Sequence, residues 1–125
     1  MDTKEIGKKG ESAVASYLKL RLYKILKRNY NTRYGELDII AKNRKYLCFV
    51  EVKTRSANSY GSPAEYVDKY KQNRIIKTAY SYLKHNPTKL MPRFDIAEVY
   101  HDNGKFKINY IKNAFMVTEE NYYNH

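Results

Sequence analysis

The sequence predicts a helix-flanked, mixed central β-sheet of the α/β (α+β) class, in the order α-β-β-β-α-β-β. Three observations predict it: two stretches repeat apolar residues at the helical period, several others alternate apolar with polar residues, and turn-forming residues separate the alternating runs. The 125 residues suit one domain spanning 1–125 around a single core, with 117–125 expected to fray as a tail.

Asp2 or Thr3 can cap a first helix from about Lys4 to Leu20, because Ile6, Ala13, Val14, Tyr17 and Leu18 recur at the helical period. Glu11 precedes Leu18 by seven residues and projects along nearly the same line, on or beside that apolar stripe. Two readings of Glu11 stay open here: a helix-edge carboxylate that swings into water or pairs with a Lys, and one directed at a partner layer. Lys24–Tyr30 reads as a short strand. A hairpin follows, in which Leu37, Ile39 and Ala41 alternate with Glu36, Asp38 and Ile40. On its second strand Tyr46, Cys48, Val50 and Val52 alternate with Leu47, Phe49, Glu51 and Lys53. With the turn at Lys42–Lys45, residue 41 is expected to face 46, which sets Asp38 opposite Phe49 and Glu36 opposite Glu51.

This register places Glu36, Asp38, Glu51 and Lys53 on one side of the sheet. Carboxylates crowded beside an apolar strand pair repel one another or are driven to protonate unless a cation joins them. Lys53 supplies one positive charge, and a divalent ion such as Mg²⁺, which prefers carboxylate oxygens, would supply the rest. The alternative is a wet sheet face on which Glu51, Lys53 and Arg55 are ordinary polar positions. Against it, Ile40, Leu47 and Phe49 share that face, which predicts a cover; the first helix is the expected one, and it would bring Glu11 to the same place.

Downstream of the loop Ser56–Gly61, Ser62-Pro63-Ala64-Glu65 has capping-box form and predicts a short helical turn. Asp68 can cap a longer helix over Lys69–His85, with Ile75, Ile76, Ala79, Tyr80 and Leu83 as its buried stripe and Pro87 enforcing the stop. Arg93–Tyr100 and Lys105–Lys112 form a second hairpin about Asp102-Asn103-Gly104.

Composition narrows the function classes. The single Cys48 excludes an internal disulfide and a zinc cluster built on several thiolates, and its place in an apolar run predicts burial. His85, His101 and His125 have no zinc-site spacing. No apolar run approaches the roughly 20 residues needed to span a bilayer. The charged N-terminus lacks the apolar core of a secretory signal. With a mean hydropathy of −0.79, these features predict a soluble, cytoplasmic protein. The 24 Lys and Arg against 13 Asp and Glu leave a net charge of +11, which favours a polyanionic partner such as nucleic acid. The 14 Tyr add surfaces on which bases could stack.

Asp38, followed after twelve residues by Glu51-Val52-Lys53 and preceded by a helix bearing Glu11, resembles the PD-(D/E)XK nuclease superfamily. In closer detail the chain resembles the YraN-type uncharacterised protein family, whose relatives include archaeal Holliday-junction resolvases. The matching pieces include Gly7-x-x-Gly10-Glu11, Arg28-Asn29-Tyr30, Gly35-Glu36-Leu37-Asp38-Ile39-Ile40-Ala41 and Phe49-Val50-Glu51-Val52-Lys53-Thr54-Arg55. Tyr60-Gly61-Ser62-Pro63 and Arg93-Phe94-Asp95 complete them, so the resemblance covers nearly the whole chain. It departs at Leu20, Arg21 and Leu22, where such proteins commonly end the helix on a Gly.

The resemblance implies a restriction-endonuclease-like core and Mg²⁺- or Mn²⁺-dependent hydrolysis of DNA phosphodiesters. It implies that Asp38, Glu51 and the Val52 carbonyl hold the metal, with Glu11 as a further carboxylate, and that Lys53 orients or deprotonates the attacking water. Glu36 would be an extra ligand or a brace. Lys71, Gln72 and Arg74, extended by Arg55, would contact DNA, and a homodimer is a further implication. Two other readings stay open: a non-catalytic nucleic-acid-binding protein on the same scaffold, and a small protein-interaction module.

Overall fold

Asp2 caps α1 (Thr3–Leu20), its side chain accepting the Glu5 N–H at 2.8 Å. A computed structural model of the chain describes residues 2–56 and 67–117. The loop after Ser56, the helical turn expected at Ser62–Glu65, the Tyr60-Gly61-Ser62-Pro63 match and the tail from 118 lie outside the described residues. Five strands follow α1, interrupted by one helix: β1 (Lys24–Thr32), β2 (Gly35–Lys42), β3 (Tyr46–Ser56), α2 (Lys69–His85), β4 (Met91–Asp102) and β5 (Lys105–Phe115). They form a single sheet in the order β1-β2-β3-β4-β5, antiparallel throughout except for the parallel pair β3 and β4. The helix α2 lies in the crossover between that pair, as parallel neighbours require. No helix among the described residues is long and apolar enough to cross a membrane.

The two helices take opposite faces. Val14, Ala15 and Leu18 of α1 pack on Ile39, Ala41, Cys48, Val50, Ala97 and Val99. Ile75, Ile76, Ala79 and Tyr82 of α2 pack on Leu37, Ile40, Leu47, Phe49, Phe94 and Ile96. The face carrying Ile40, Leu47 and Phe49 is therefore covered by α2, not by α1 as expected. The bulky stripe of α2 and the stacked rings Phe49, Phe94 and Phe115 fill one layer. The slimmer stripe of α1 fits the smaller side chains of the other, where Gly10 permits the approach: a Cβ there would stand 2.9 Å from Thr54 Oγ1. Cys48 is buried, and burial, followed by the charge of Asp95, pushes its thiol up to about 12, so it remains an inert apolar filler.

The β2–β3 register differs from the expected one by two residues. Ile39 pairs with Val50, Ile40 with Phe49 and Lys42 with Leu47. The loop is longer because the Asn43 side chain accepts the N–H groups of Lys45 at 2.9 Å and Tyr46 at 2.7 Å, drawing both into the turn. A slip of two preserves which side chains share a face. It carries Asp38, rather than Glu36, to the position facing Glu51.

α1 ends without a Gly. The N–H groups of Leu22 and Tyr23 bond the carbonyls of Lys19 and Leu18, a Schellman closure that puts Leu22 in the left-handed region at φ 68. Leu22 is 88% exposed, so little packing offsets the strain. Leu22→Gly is expected to stabilise the chain by about 0.5–1.5 kcal/mol, read as a higher urea midpoint with unchanged slope. An unchanged or lower midpoint would contradict it.

Candidate functional site

β2 and β3 part company at Asp38. The ladder runs only as far as the pair Ile39 and Val50. Beyond it, the Val52 N–H is satisfied by the Asp38 carboxylate, which accepts it at 2.7 Å. Leu37 packs in the α2 layer with Ile40, whereas Ile39 packs in the α1 layer, so the alternation of β2 breaks at this residue. A side chain takes the place of a strand carbonyl, and the resulting notch between the two strands holds the acidic residues.

Glu51 faces that notch from β3 and is buried. Asp38 acts on its carboxyl through both charge and a side-chain hydrogen bond. Burial first, then the charge and hydrogen bond of Asp38, push Glu51 up to about 8, against the opposing pull of Lys71 and Lys53. The Lys71 ammonium approaches Glu51 Oε2 at 3.7 Å from α2, with its side chain half exposed. Oε2 is nevertheless buried without a hydrogen bond. A carboxylate oxygen in that condition is poorly served by the protein alone.

Glu11 reaches the notch from α1. Its carboxyl is raised, first by burial and then by the charge of Asp38, with Arg28 opposing and Glu36 adding to the rise. Arg28 Nη2 lies 4.0 Å from Glu11 Oε1. Asn29, with its amide oriented so that nitrogen donates, bonds Glu11 Oε1 and Glu36 Oε1 at 3.1 Å each. Asn29 is not among the site residues expected from the sequence. Its signal was a short polar residue inside a strand, and it adopts the left-handed region, φ 53, that Asn tolerates better than most residues. Glu36, exposed on β2, is joined to Glu11 through this amide, as a brace would be.

The remaining candidates divide. Lys53 is half-buried, and its charge acts on Glu51. Val52 pairs with Ala97 of β4. Arg74 lies against the β1–β2 hairpin, where a Cβ on Gly35 would be 3.5 Å from its Nε and Nη2. Arg55 is turned inward: its Nε stands 3.1 Å from Oε2 of the buried Glu98, whose other oxygen accepts from Asn109 at 2.8 Å. Gln72 donates to the Val67 carbonyl at 2.8 Å and fastens the entry to α2. The geometry thus joins Glu11, Glu36, Asp38, Glu51, Lys53 and Lys71 around one notch, and gives Arg55 and Gln72 internal partners.

The chemistry of the donor set suits a hard divalent cation in part. Asp38 and Glu51 offer adjacent carboxylates, one oxygen of which is buried and unbonded. Among the described residues, no three His, Cys, Asp or Glu side chains stand close enough to share one ion, so Glu11 acts on the pair through its field.

Sequence comparison identifies the family. Residues 10–99 match the profile of the uncharacterised protein family UPF0102. The chain belongs to the UPF0102 family. A UPF0102 protein of Syntrophomonas wolfei subsp. wolfei is 45% identical over 114 residues, 90% of this chain and 98% of that protein. Another, from Caldanaerobacter subterraneus subsp. tengcongensis, is 43% identical over 119 residues, 92% of this chain and 98% of its own. The matched span of UPF0102 includes Glu11, Asp38, Glu51 and Lys53 and ends beside Glu98.

Proposed function

We propose that the chain is a cytoplasmic, Mg²⁺- or Mn²⁺-dependent endonuclease-like protein that hydrolyses DNA phosphodiesters, with branched and repair intermediates as its candidate substrates. The observation that carries the reading is the buried, unbonded Glu51 Oε2 beside Asp38 in a notch where a strand ladder has been given up. Asp38, Glu51 and the Val52 carbonyl would hold the ion, with Glu11 strengthening the negative field and Glu36 and Asn29 bracing Glu11. A divalent ion bound there would lower the pKa of its water and stabilise charge developing on phosphate oxygens. Lys53 adds a fixed cation on the same side, suited to orienting the attacking water and offsetting charge on the scissile phosphate. Lys71, now set against Glu51, is the cation a metal would displace toward substrate phosphates.

The test is a cleavage panel of single-stranded, duplex, flap and four-way DNA in Mg²⁺ and Mn²⁺. Asp38→Ala, Glu51→Ala and Lys53→Ala are each expected to lower cleavage by at least about 100-fold with folding retained. Equal cutting by all three variants would remove the proposal. A second reading, a nucleic-acid-binding protein on a nuclease scaffold, is favoured by two observations: Lys71 already partners Glu51, and no third carboxylate closes the ligand set among the described residues. EDTA-insensitive binding with no cutting of any substrate would select it. A homodimer, implied by the resolvase resemblance, would appear as a doubled mass in sedimentation.

A further inference from the structure

Away from the acidic notch, the tip of the β1–β2 hairpin and the C-terminal half of α2 enclose a groove of about 630 Å³. Arg33 and Tyr34 form one wall; Lys77, Tyr80, Lys84 and His85 form the other. Among the described residues lining it there is no carboxylate. Arg33 Nη2 donates to the Tyr34 hydroxyl at 2.8 Å, and its guanidinium lies 5.0 Å from the ring centroid. The Lys77 ammonium lies 6.0 Å from the same ring. The cations therefore cluster about an aromatic face.

One helix, α2, borders both the groove and the notch. α2 carries Lys69, Lys71, Arg74, Lys77 and Lys84 and no Asp or Glu. Lys71 meets Glu51, Arg74 lies against Gly35, Lys77 meets Tyr34, and Lys84 lines the groove. At 1.5 Å per residue, this basic track is about 20 Å long. An acidic protein partner would be matched by the charge alone, but aromatic walls set among cations in a concavity suit an unpaired base with its phosphates on the rim. Paired bases of a duplex, stacked inside a convex rod, cannot enter it.

We propose that this groove binds single-stranded nucleic acid, a tyrosine face receiving a base while Arg33, Lys77 and Lys84 hold the backbone. That the strand leads along α2 to the acidic notch rests on the nuclease reading above; the binding itself does not. Tyr34 ionises more readily than usual, first through the Arg33 hydrogen bond and then through the Arg33 charge, with Lys77 and Lys84 contributing. The shift matches the positive field that phosphates would meet.

The experiment is fluorescence anisotropy on the full chain in EDTA, with a labelled oligothymidylate and a blunt duplex of equal length. Lys77→Glu/Lys84→Glu and Tyr34→Leu are each expected to weaken oligothymidylate binding about tenfold or more, the first also flattening its salt dependence by about 0.7 per lost phosphate contact. Duplex binding should change by less than about threefold. The charge-matched control Lys105→Glu/Lys112→Glu, on the far edge strand, should leave oligothymidylate binding within about threefold. Oligothymidylate binding unaffected by the groove substitutions overturns the proposal, as does an equal loss for single strand and duplex. If Tyr34→Leu melts early, the paired Lys substitution on the helix surface decides. Groove-dependent binding without cleavage in the DNA panel defeats only the nuclease reading, and cleavage with binding indifferent to the groove defeats only this one.

Discussion

Glu51→Gln is expected to make the metal-free protein more stable at pH 8 and, at the same time, inactive in DNA cleavage. The physical reason is the proton on Glu51. In the folded chain its carboxyl is raised from 4.5 to about 8, because it is buried and lies against Asp38. Between those values the folded state holds a proton that the unfolded state has released, so the unfolded state binds fewer protons and stability falls as pH rises. The stability is therefore fullest near pH 4.5 and is lost progressively toward pH 8. Gln cannot ionise, and its amide can donate to Asp38 as the protonated acid does. The lost pairing with Lys71 weighs little, since that side chain is half exposed. In EDTA, the wild type should lose on the order of 2–4 kcal/mol relative to the variant between pH 5 and pH 8.5, read from paired urea titrations. Groups common to both proteins cancel in the comparison, so the difference isolates residue 51. Millimolar Mg²⁺ should restore the wild type at the upper pH and leave the variant unmoved. Parallel pH curves for the two proteins in EDTA would show that Glu51 carries no such strain.

That strain was partly legible in the sequence. The helices were, because each carries its own punctuation: Asp68 and Pro87 bracket α2, whose limits match the expected ones, and Asp2 starts α1. The strands were recognised but run longer than expected, as β3 does to Ser56 and β4 from Met91, since alternation fades where neighbouring strands, not the segment itself, supply the pairing. The tight β1–β2 hairpin has no compositional signal, because Arg33-Tyr34 is not turn-like; it closes through Thr32 Oγ1, which accepts the Tyr34 N–H, and Gly35 at φ 147.

Register and layer were the harder problems. Whether Asn43 turns its side chain into the loop is a choice among nearly equal local hydrogen bonds, and it moved every β2–β3 pair by two. Asp38 still meets Glu51 because the shifted register brings position 38 across from 51, where its carboxylate accepts the Val52 N–H. Which helix covers which face depends on the relative bulk of two apolar sets, and both are plausible partners for either helix when read in isolation. The expected cover by α1 was wrong, yet Glu11 still reaches the notch, since the departure of β2 from β3 opens the sheet between the two layers. The inward partner of Arg55, by contrast, has no local signature at all: Glu98 is 43 residues away in the chain and looks like any strand-face acid.

Asp95→Ala is expected to be the most destabilising single substitution outside the apolar core. On the α1 face, Asp95 accepts from Arg93 Nε at 3.0 Å and Nη2 at 2.9 Å, from the Tyr110 hydroxyl at 2.7 Å and from the Asn113 N–H at 2.9 Å. Arg93 in turn donates to the Tyr23 hydroxyl at 2.8 Å. One carboxylate thus joins β4, β5 and the segment entering β1, at 1% exposure, and Tyr110 is held protonated well above its usual range by burial and then by the Asp95 charge. Removing it leaves a guanidinium at 6% exposure with a phenol for company and strands two donors. Breaking such a buried pair from one side costs about 3–5 kcal/mol, which for a domain of this size lowers the melting temperature by about 10–20 °C. Replacing both partners, Arg93→Met with Asp95→Leu, should cost less than Asp95→Ala alone, because no uncompensated charge remains. The Arg93-Phe94-Asp95 match is then a structural clasp, and Mg²⁺ at a temperature where the variant is still folded should raise its melting point as much as it raises the wild type's. A melting temperature within about 3 °C of wild type for Asp95→Ala, or a double variant worse than the single, would place the energy of that clasp elsewhere.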